Sequence, residues 1–155
     1  MSAETLKLVS FTPEGFAGFL NVLHHTYGTA GDAMIHDMSE KYGKNLVEQL
    51  LPILPADQEE RLAALRLLAE KRLVSQGWGK LTIEKLDTET GTIDVLLEDQ
   101  PFSDCKGTSE APSCIFQRGV IAGLLSAVLE KVVKVSAVTC PTKENNVCRY
   151  TYNVL

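Results

Sequence analysis

Apolar residues recur along this chain in two rhythms, and the switches between them divide it into blocks. Phe16, Phe19, Leu20 and Leu23 fall three and four apart, the spacing that lines one face of a helix. Thr12-Pro13-Glu14 supplies the start signal for it: a capping hydroxyl, a proline at the first helical position and an acid set against the helix dipole. Gly28-Thr29-Ala30-Gly31 loosens the chain before a second periodic run, Ile35, Met38, Tyr42, Leu46 and Leu50. That run ends before Pro52, and Gly43 is expected to kink it. A third helix is predicted from about Asp57, a suitable cap for a segment rich in Glu, Arg, Leu and Ala, to about Gln76, where Gly77 stops it.

Beyond Gly77 the rhythm becomes alternating. Trp78, Lys80, Thr82 and Glu84 oppose Gly79, Leu81, Ile83 and Lys85, and Ile93, Val95 and Leu97 follow a DTETG turn, which predicts a hairpin. Residues 99–112 have no period and collect turn formers, so they read as a long exposed loop carrying Cys105. Ser113 is expected to cap a fourth helix reaching about Lys131, striped by Ile121, Leu124, Leu125, Val128 and Leu129. Gly119 and Gly123 cost that helix propensity, which predicts another backbone passing close to them. Two β-rich runs, VVKVSAVTC and NVCRYTYNVL, close the chain as a second hairpin. The sum is one α+β domain over residues 1–155: an antiparallel sheet of about four or five strands with four helices packed against it, in the order ααα-ββ-α-ββ.

Composition narrows the function more than the fold. With 45% hydrophobic and 23% charged residues the chain is of ordinary globular type. Fifteen basic against twenty acidic residues, with no basic cluster, argue against a direct nucleic-acid partner. The segment MSAETLKLVS lacks the features of a secretory signal, and no apolar run reaches the roughly twenty residues of a membrane span, so a cytoplasmic protein is expected. No GxSxG, Walker, GxGxxG or HExxH pattern occurs, and a non-enzymatic role is expected.

In a reducing compartment four cysteines are buried thiols, metal ligands or redox sensors. Cys114 sits at the predicted start of helix four, where free N–H groups favour a thiolate, while Cys140 and Cys148 flank the loop of the last hairpin. Were the helix start to lie at that end of the sheet, three sulfurs would converge in a manner suited to zinc. Spacing alone favours unrelated core cysteines, since no CxxC pair is present. A disulfide between Cys105 and Cys114, or between Cys140 and Cys148, is the redox alternative. His24 and His25 point about 100° apart on a helix and do not form a ligand pair. Trp78, Phe102 and Phe116 are candidates to line an apolar pocket, with plain core packing as the simpler role.

The segment CIFQRGVIAGLLSAVLEKVVKVSAVTCPTKENNVCRYTYNV resembles the C-terminal half of the 4-vinyl reductase domain: Cys, an apolar pair, Arg-Gly, a glycine-containing apolar helix, a strand, Cys, a short polar loop, and Cys followed by an aromatic. Both inter-cysteine intervals, twenty-five and seven intervening residues, fit that family, whereas the first hundred residues match it only in the order of elements. The resemblance implies the nitric-oxide-signalling and Golgi-transport ligand-binding fold, often dimeric, with a cavity for a small apolar molecule. It also implies a structural zinc held by Cys114, Cys140 and Cys148 together with a carboxylate three residues before the middle cysteine. Ala137 stands at that place, leaving water, Cys105 or Glu144 to complete the site, and Glu144-Asn145-Asn146 replaces the family's Gly-Asp loop. The expected function is therefore a sensor or carrier for an apolar or aromatic molecule, dimeric, signalling to a separate regulator or enzyme. The alternatives are a thiol redox switch and a reductase or accessory factor in tetrapyrrole biosynthesis.

Overall fold

A computed structural model describes residues 9–75, 77–87, 89–105, 108, 110–139 and 147–155. Four helices and a four-stranded antiparallel sheet follow the predicted order: α1 Pro13–Tyr27, α2 Thr29–Glu48, α3 Gln58–Ser75, β1 Lys80–Asp87, β2 Thr92–Glu98, α4 Pro112–Leu129, β3 Val133–Thr139 and β4 Val147–Val154. The sheet order is β1-β2-β4-β3, so α4 carries the chain from β2 over the sheet to the far edge. Sheet and helices form three layers, with α4 in the middle.

Helix α4 is apolar around its whole circumference because it faces a core on either side. Cys114, Ile121, Ala122, Leu125 and Leu129 pack against the sheet residues Leu81, Ile83, Ile93, Val95, Leu97, Tyr150 and Tyr152. Ile115, Phe116, Val120, Leu124 and Val128 pack instead against Leu20, Ile35, Val47 and Leu65 of the other helices. By length and composition this 18-residue helix would suit a membrane, but 89% of it is buried within the protein.

The helix starts show which local signals governed. Thr12 accepts the Gly15 N–H at 3.1 Å, and Asp57 accepts the N–H groups of Glu59 and Glu60, both at 3.0 Å, as capping chemistry requires. Ser113 does not cap α4. Pro112, whose fixed φ suits the first helical position, begins the helix two residues before a Ser113 cap would, and the Ser113 hydroxyl turns to Asp104 at 2.9 Å. Gly43 introduces no break in α2, which is continuous from Thr29 to Glu48. A Cβ at Gly43 would overlap the Val120 carbonyl oxygen, and one at Gly123 the Glu40 carbonyl oxygen. At Gly119 the overlap would be with the Ser39 side chain. The three glycines thus let α2 and α4 cross backbone to backbone, and Gly43 leaves space for α4 rather than forming a hinge.

In the sheet, Ile93 faces Tyr152, Val95 faces Tyr150 and Leu97 faces Cys148, so the two central strands present one continuous row to α4. Thr151 and Asp94 hydrogen-bond at 2.8 Å in the opposite row. The register of β1 shifts between Ile83 and Lys85, a bulge after which the inward alternation of β1 is lost.

Candidate functional site

Two places in this fold carry chemistry: a buried thiol and phenol network under the start of α4, and a small cavity between α3, α4 and the first hairpin. The network begins in the segment after β2. Asp99 takes a positive φ of 53°, and Gln100 then folds the chain back on itself. Its amide nitrogen donates to the Phe102 carbonyl at 2.6 Å, and its oxygen accepts the Phe102 N–H at 2.8 Å. Gln117 of α4 locks this arrangement by donating to the Gln100 oxygen at 3.2 Å.

The expectation of an exposed Cys105 is overturned, because this polar lock draws the segment onto α4. Cys105 lies in a short 3-10 turn, Ser103–Cys105, with no solvent exposure, and its sulfur sits 3.9 Å from the Gln117 oxygen. That same oxygen accepts the Tyr150 hydroxyl at 3.3 Å, and the Tyr150 oxygen is 4.0 Å from the Cys114 sulfur. Tyr152 donates to the Arg118 carbonyl at 2.9 Å. A hydrogen bond with Cys114, and next the burial itself, push the Cys105 thiol far above its ordinary range. Burial raises the Cys148 thiol to about 11, partly offset by the Tyr150 hydroxyl, and raises Tyr150 and Tyr152 strongly. Cys105 and Cys148 are therefore neutral thiols at neutral pH.

The structure brings Cys105, Cys114 and Cys148 into one buried region. Cys140 and Glu144 lie outside the described residues. Thr139, just before Cys140, pairs with Arg149, the neighbour of Cys148. The chemistry of this set suits a soft cation: sulfur donors, with Asp104 Oδ1 beside them buried and without a hydrogen-bond partner among the described residues. Among the described residues, however, no three His, Cys, Asp or Glu side chains converge as a metal-binding group. These donors do not make a clamp without a further ligand. Gln100, Gln117 and Tyr150 escaped the sequence reading because a lone glutamine or tyrosine in an apolar run carries no periodic signal.

Trp78, Phe102 and Phe116 meet, with Phe16 of α1 added to them. Trp78 stacks on Phe116 with centroids 5.7 Å apart and planes 21° apart, and Phe16 meets Phe116 edge-on at 4.8 Å. Phe102 closes the cluster at 6.1 Å from Trp78. The cavity lies elsewhere: about 10 Å³, lined by Leu65 and Arg66 of α3, Leu81 and Ile83 of β1, Val95 of β2, and Ile121, Leu124 and Leu125 of α4. It has room for about one water molecule. His24 pairs with Asp32 at 2.7 Å, tying α1 to α2.

No family model and no curated protein matches the sequence. Solved structures do match along nearly the whole chain. The phenol-responsive sensory domain of the transcription activator PoxR, with phenol, superposes with a TM-score of 0.70 at 16% identity over 96% of this chain and 77% of that one. A vinyl-4-reductase family protein from Methanocaldococcus jannaschii gives 0.61 at 17% identity, over 95% of this chain and 84% of that one. A trafficking protein particle complex subunit 3 from Naegleria fowleri, covalently bound to palmitic acid, gives 0.61 at 15% identity, over 92% and 95%. At these identities the fold is what is shared: the chain has the fold of the vinyl-4-reductase family protein and of the PoxR sensory domain, the fold that its C-terminal cysteine pattern implied.

Proposed function

We propose that this protein is a non-enzymatic small-molecule binding domain, a sensor or carrier for an apolar or aromatic ligand. One observation carries the reading: the fold it shares over 96% of its length with a sensory domain that holds phenol has, in this chain, an aliphatic cavity between α3, α4 and the sheet. The ligand would enlarge that cavity by displacing α3, and the motion of α3 would be the signal passed to a separate regulator or enzyme. Native mass spectrometry and thermal unfolding with phenol and its alkylated homologues test this. A rise in melting temperature that grows with alkyl size is expected, and no shift and no adduct with any of them would overturn it.

A structural zinc on Cys114, Cys140 and Cys148, with Cys105 or Glu144 completing it, is the second part of the reading. Its support is the burial of Cys114 and Cys148 at one end of the sheet and the uncompensated Asp104 oxygen near them. When bound, zinc would stabilise the thiolates and tie α4 to β4. Elemental analysis should find one zinc per chain that is lost in Cys114→Ala. Metal-free protein losing two thiols on treatment with peroxide would favour the redox switch instead, with Cys105 and Cys114, already hydrogen-bonded to each other, forming the disulfide and peroxide reduced to water.

A homodimer and a cytoplasmic setting complete the proposal. Phe19, Val22, Tyr27, Met34 and Met38 leave a broad apolar surface exposed on α1 and α2, and Cys105, Cys114 and Cys148 form no disulfide among the described residues. Light scattering should give twice the chain mass, falling to the monomer in Val22→Glu with Met38→Glu.

A further inference from the structure

Residues 99–105, between β2 and α4, form a strap that lays an aromatic side chain into the core. The buried Phe102 ring packs 6.0 Å from Phe16 and 6.1 Å from Trp78, and both of those rings also meet Phe116 of α4. The polar groups of the strap land beside it: Gln100 accepts from Gln117, Cys105 lies 3.9 Å from the oxygen of the same Gln117, and Asp104 accepts the Ser113 hydroxyl. Gln117 and Ile121 lie one turn apart on the same face of α4, and Ile121 lines the aliphatic cavity. The strap therefore covers the turn of α4 next to that cavity. Closing it has two local costs. Asp99 turns the chain with a φ of 53°, which is unfavourable for any residue but glycine. Asp104 Oδ1 is buried with no hydrogen-bond partner among the described residues, and so loses the bonds that water would give it. Both costs are relieved when the strap lifts.

We propose that Phe102 is a built-in plug that holds the seat of a ligand's ring, and that the ligand is an alkylated phenol which lifts the strap as it binds. Its ring takes the place of Phe102 among Phe16, Trp78 and Phe116, its hydroxyl bonds to Gln117, and its alkyl chain runs one turn along α4 into the aliphatic cavity. This rests on the ligand-binding reading above and gives that ligand a seat and a polar anchor. The exchange matches group for group. An incoming ring meets the three aromatic side chains as the Phe102 ring does, edge-on or tilted. When the strap lifts, the Gln117 amide loses Gln100 and its oxygen loses Cys105, while Tyr150 stays bonded to it. A phenol hydroxyl, neutral and able both to donate and to accept, replaces those partners. The plug is autoinhibitory, because the apparent affinity falls by the fraction of molecules in which the strap is up. Cys105 travels with Phe102, so binding uncovers a thiol that is fully buried in the free protein.

The test pulses the full chain with N-ethylmaleimide, with and without 4-propylphenol, and assigns the labelled cysteine by peptide mass spectrometry. Cys105 labelling is expected to be slow in the free protein and to rise about tenfold at saturating 4-propylphenol, while Cys148 labelling stays as it was. Propylbenzene, which lacks the hydroxyl, should bind about fivefold more weakly in calorimetry. Phe102→Ala should label rapidly at Cys105 without ligand and bind 4-propylphenol about tenfold more tightly. Leu65→Ala, which opens the aliphatic cavity instead, should keep Cys105 slow until ligand is added. Thermal unfolding establishes that each variant is folded, and the labelling of the wild type decides the matter without them. Binding of 4-propylphenol with Cys105 still protected, or equal binding of propylbenzene, overturns the plug and leaves a ligand seated elsewhere. Binding of neither compound removes the ligand-binding reading and this proposal together.

Discussion

Helices α2 and α3 both lean on α4, and the means differ. Along the α2–α4 crossing the backbones touch at Gly43 and Gly123, and at Gly119 the small, fully buried Ser39 side chain fills the seam. The described part of α3 reaches α4 and β1 through Leu62, Leu65 and Arg66, side chains that leave a cavity among them. Close-packed backbone contact has no soft degree of freedom, whereas side chains around a void can rearrange at modest cost. The first contact suits a scaffold and the second a wall that moves.

Substituting the glycines should break the contrast most violently. Gly123→Val would push a branched side chain into the Glu40 carbonyl, and a loss above about 4 kcal/mol, or failure to fold, is expected in chemical denaturation. Gly119→Ala meets a side chain rather than backbone, so Ser39→Gly in the same molecule should recover part of its loss. Absence of any recovery would mean that the nearby His36 carbonyl, not Ser39, sets the limit. On the α3 side, Leu65→Ala should cost about 2–4 kcal/mol and enlarge the existing cavity. Here a small apolar ligand should restore part of the loss, a rescue that Leu20→Ala, against the helical core, should not show in the same thermal assay.

The thiol region sharpens the comparison through pH. The folded Cys148 pKa of about 11 lies above its ordinary 9.0, so the folded state holds the proton more tightly than the unfolded chain does. Its stabilising effect is complete below pH 9 and is lost as pH rises from about 9 to about 11. At about 1.4 kcal/mol per pKa unit this amounts to roughly 2–3 kcal/mol. Metal-stripped protein should lose stability over that window, and Cys148→Ala should flatten the slope. The smallest effect is expected at the start of α3, where Asp57→Ala removes two capping bonds at a cost of about 1 kcal/mol in thermal unfolding.

How much of this was legible in the chain depended on the range of the interaction. The caps at Thr12 and Asp57, the hairpins and the close approach at Gly119 and Gly123 were all readable, since each is written within a few residues. A lone Gly43 reads as a kink because it lacks the second glycine four residues away that marks Gly119 and Gly123 as a close approach. Sequence alone places Cys105 in solvent because the lock that buries it, Gln100 to Gln117, joins a loop to a helix and has no sequence period. The apolar stripe of α4 was visible, but not that it divides into two faces serving two cores.

By itself the sequence determined the element order, the alternation of the strands and the cysteine spacing that pointed to the fold, all local or periodic properties of the chain. Tertiary structure alone decided that α4 is the middle layer, that three cysteines share one buried region and that α3, α4 and the first hairpin enclose a small aliphatic cavity. Each of those depends on which distant surfaces meet, and packing, not local propensity, makes that choice.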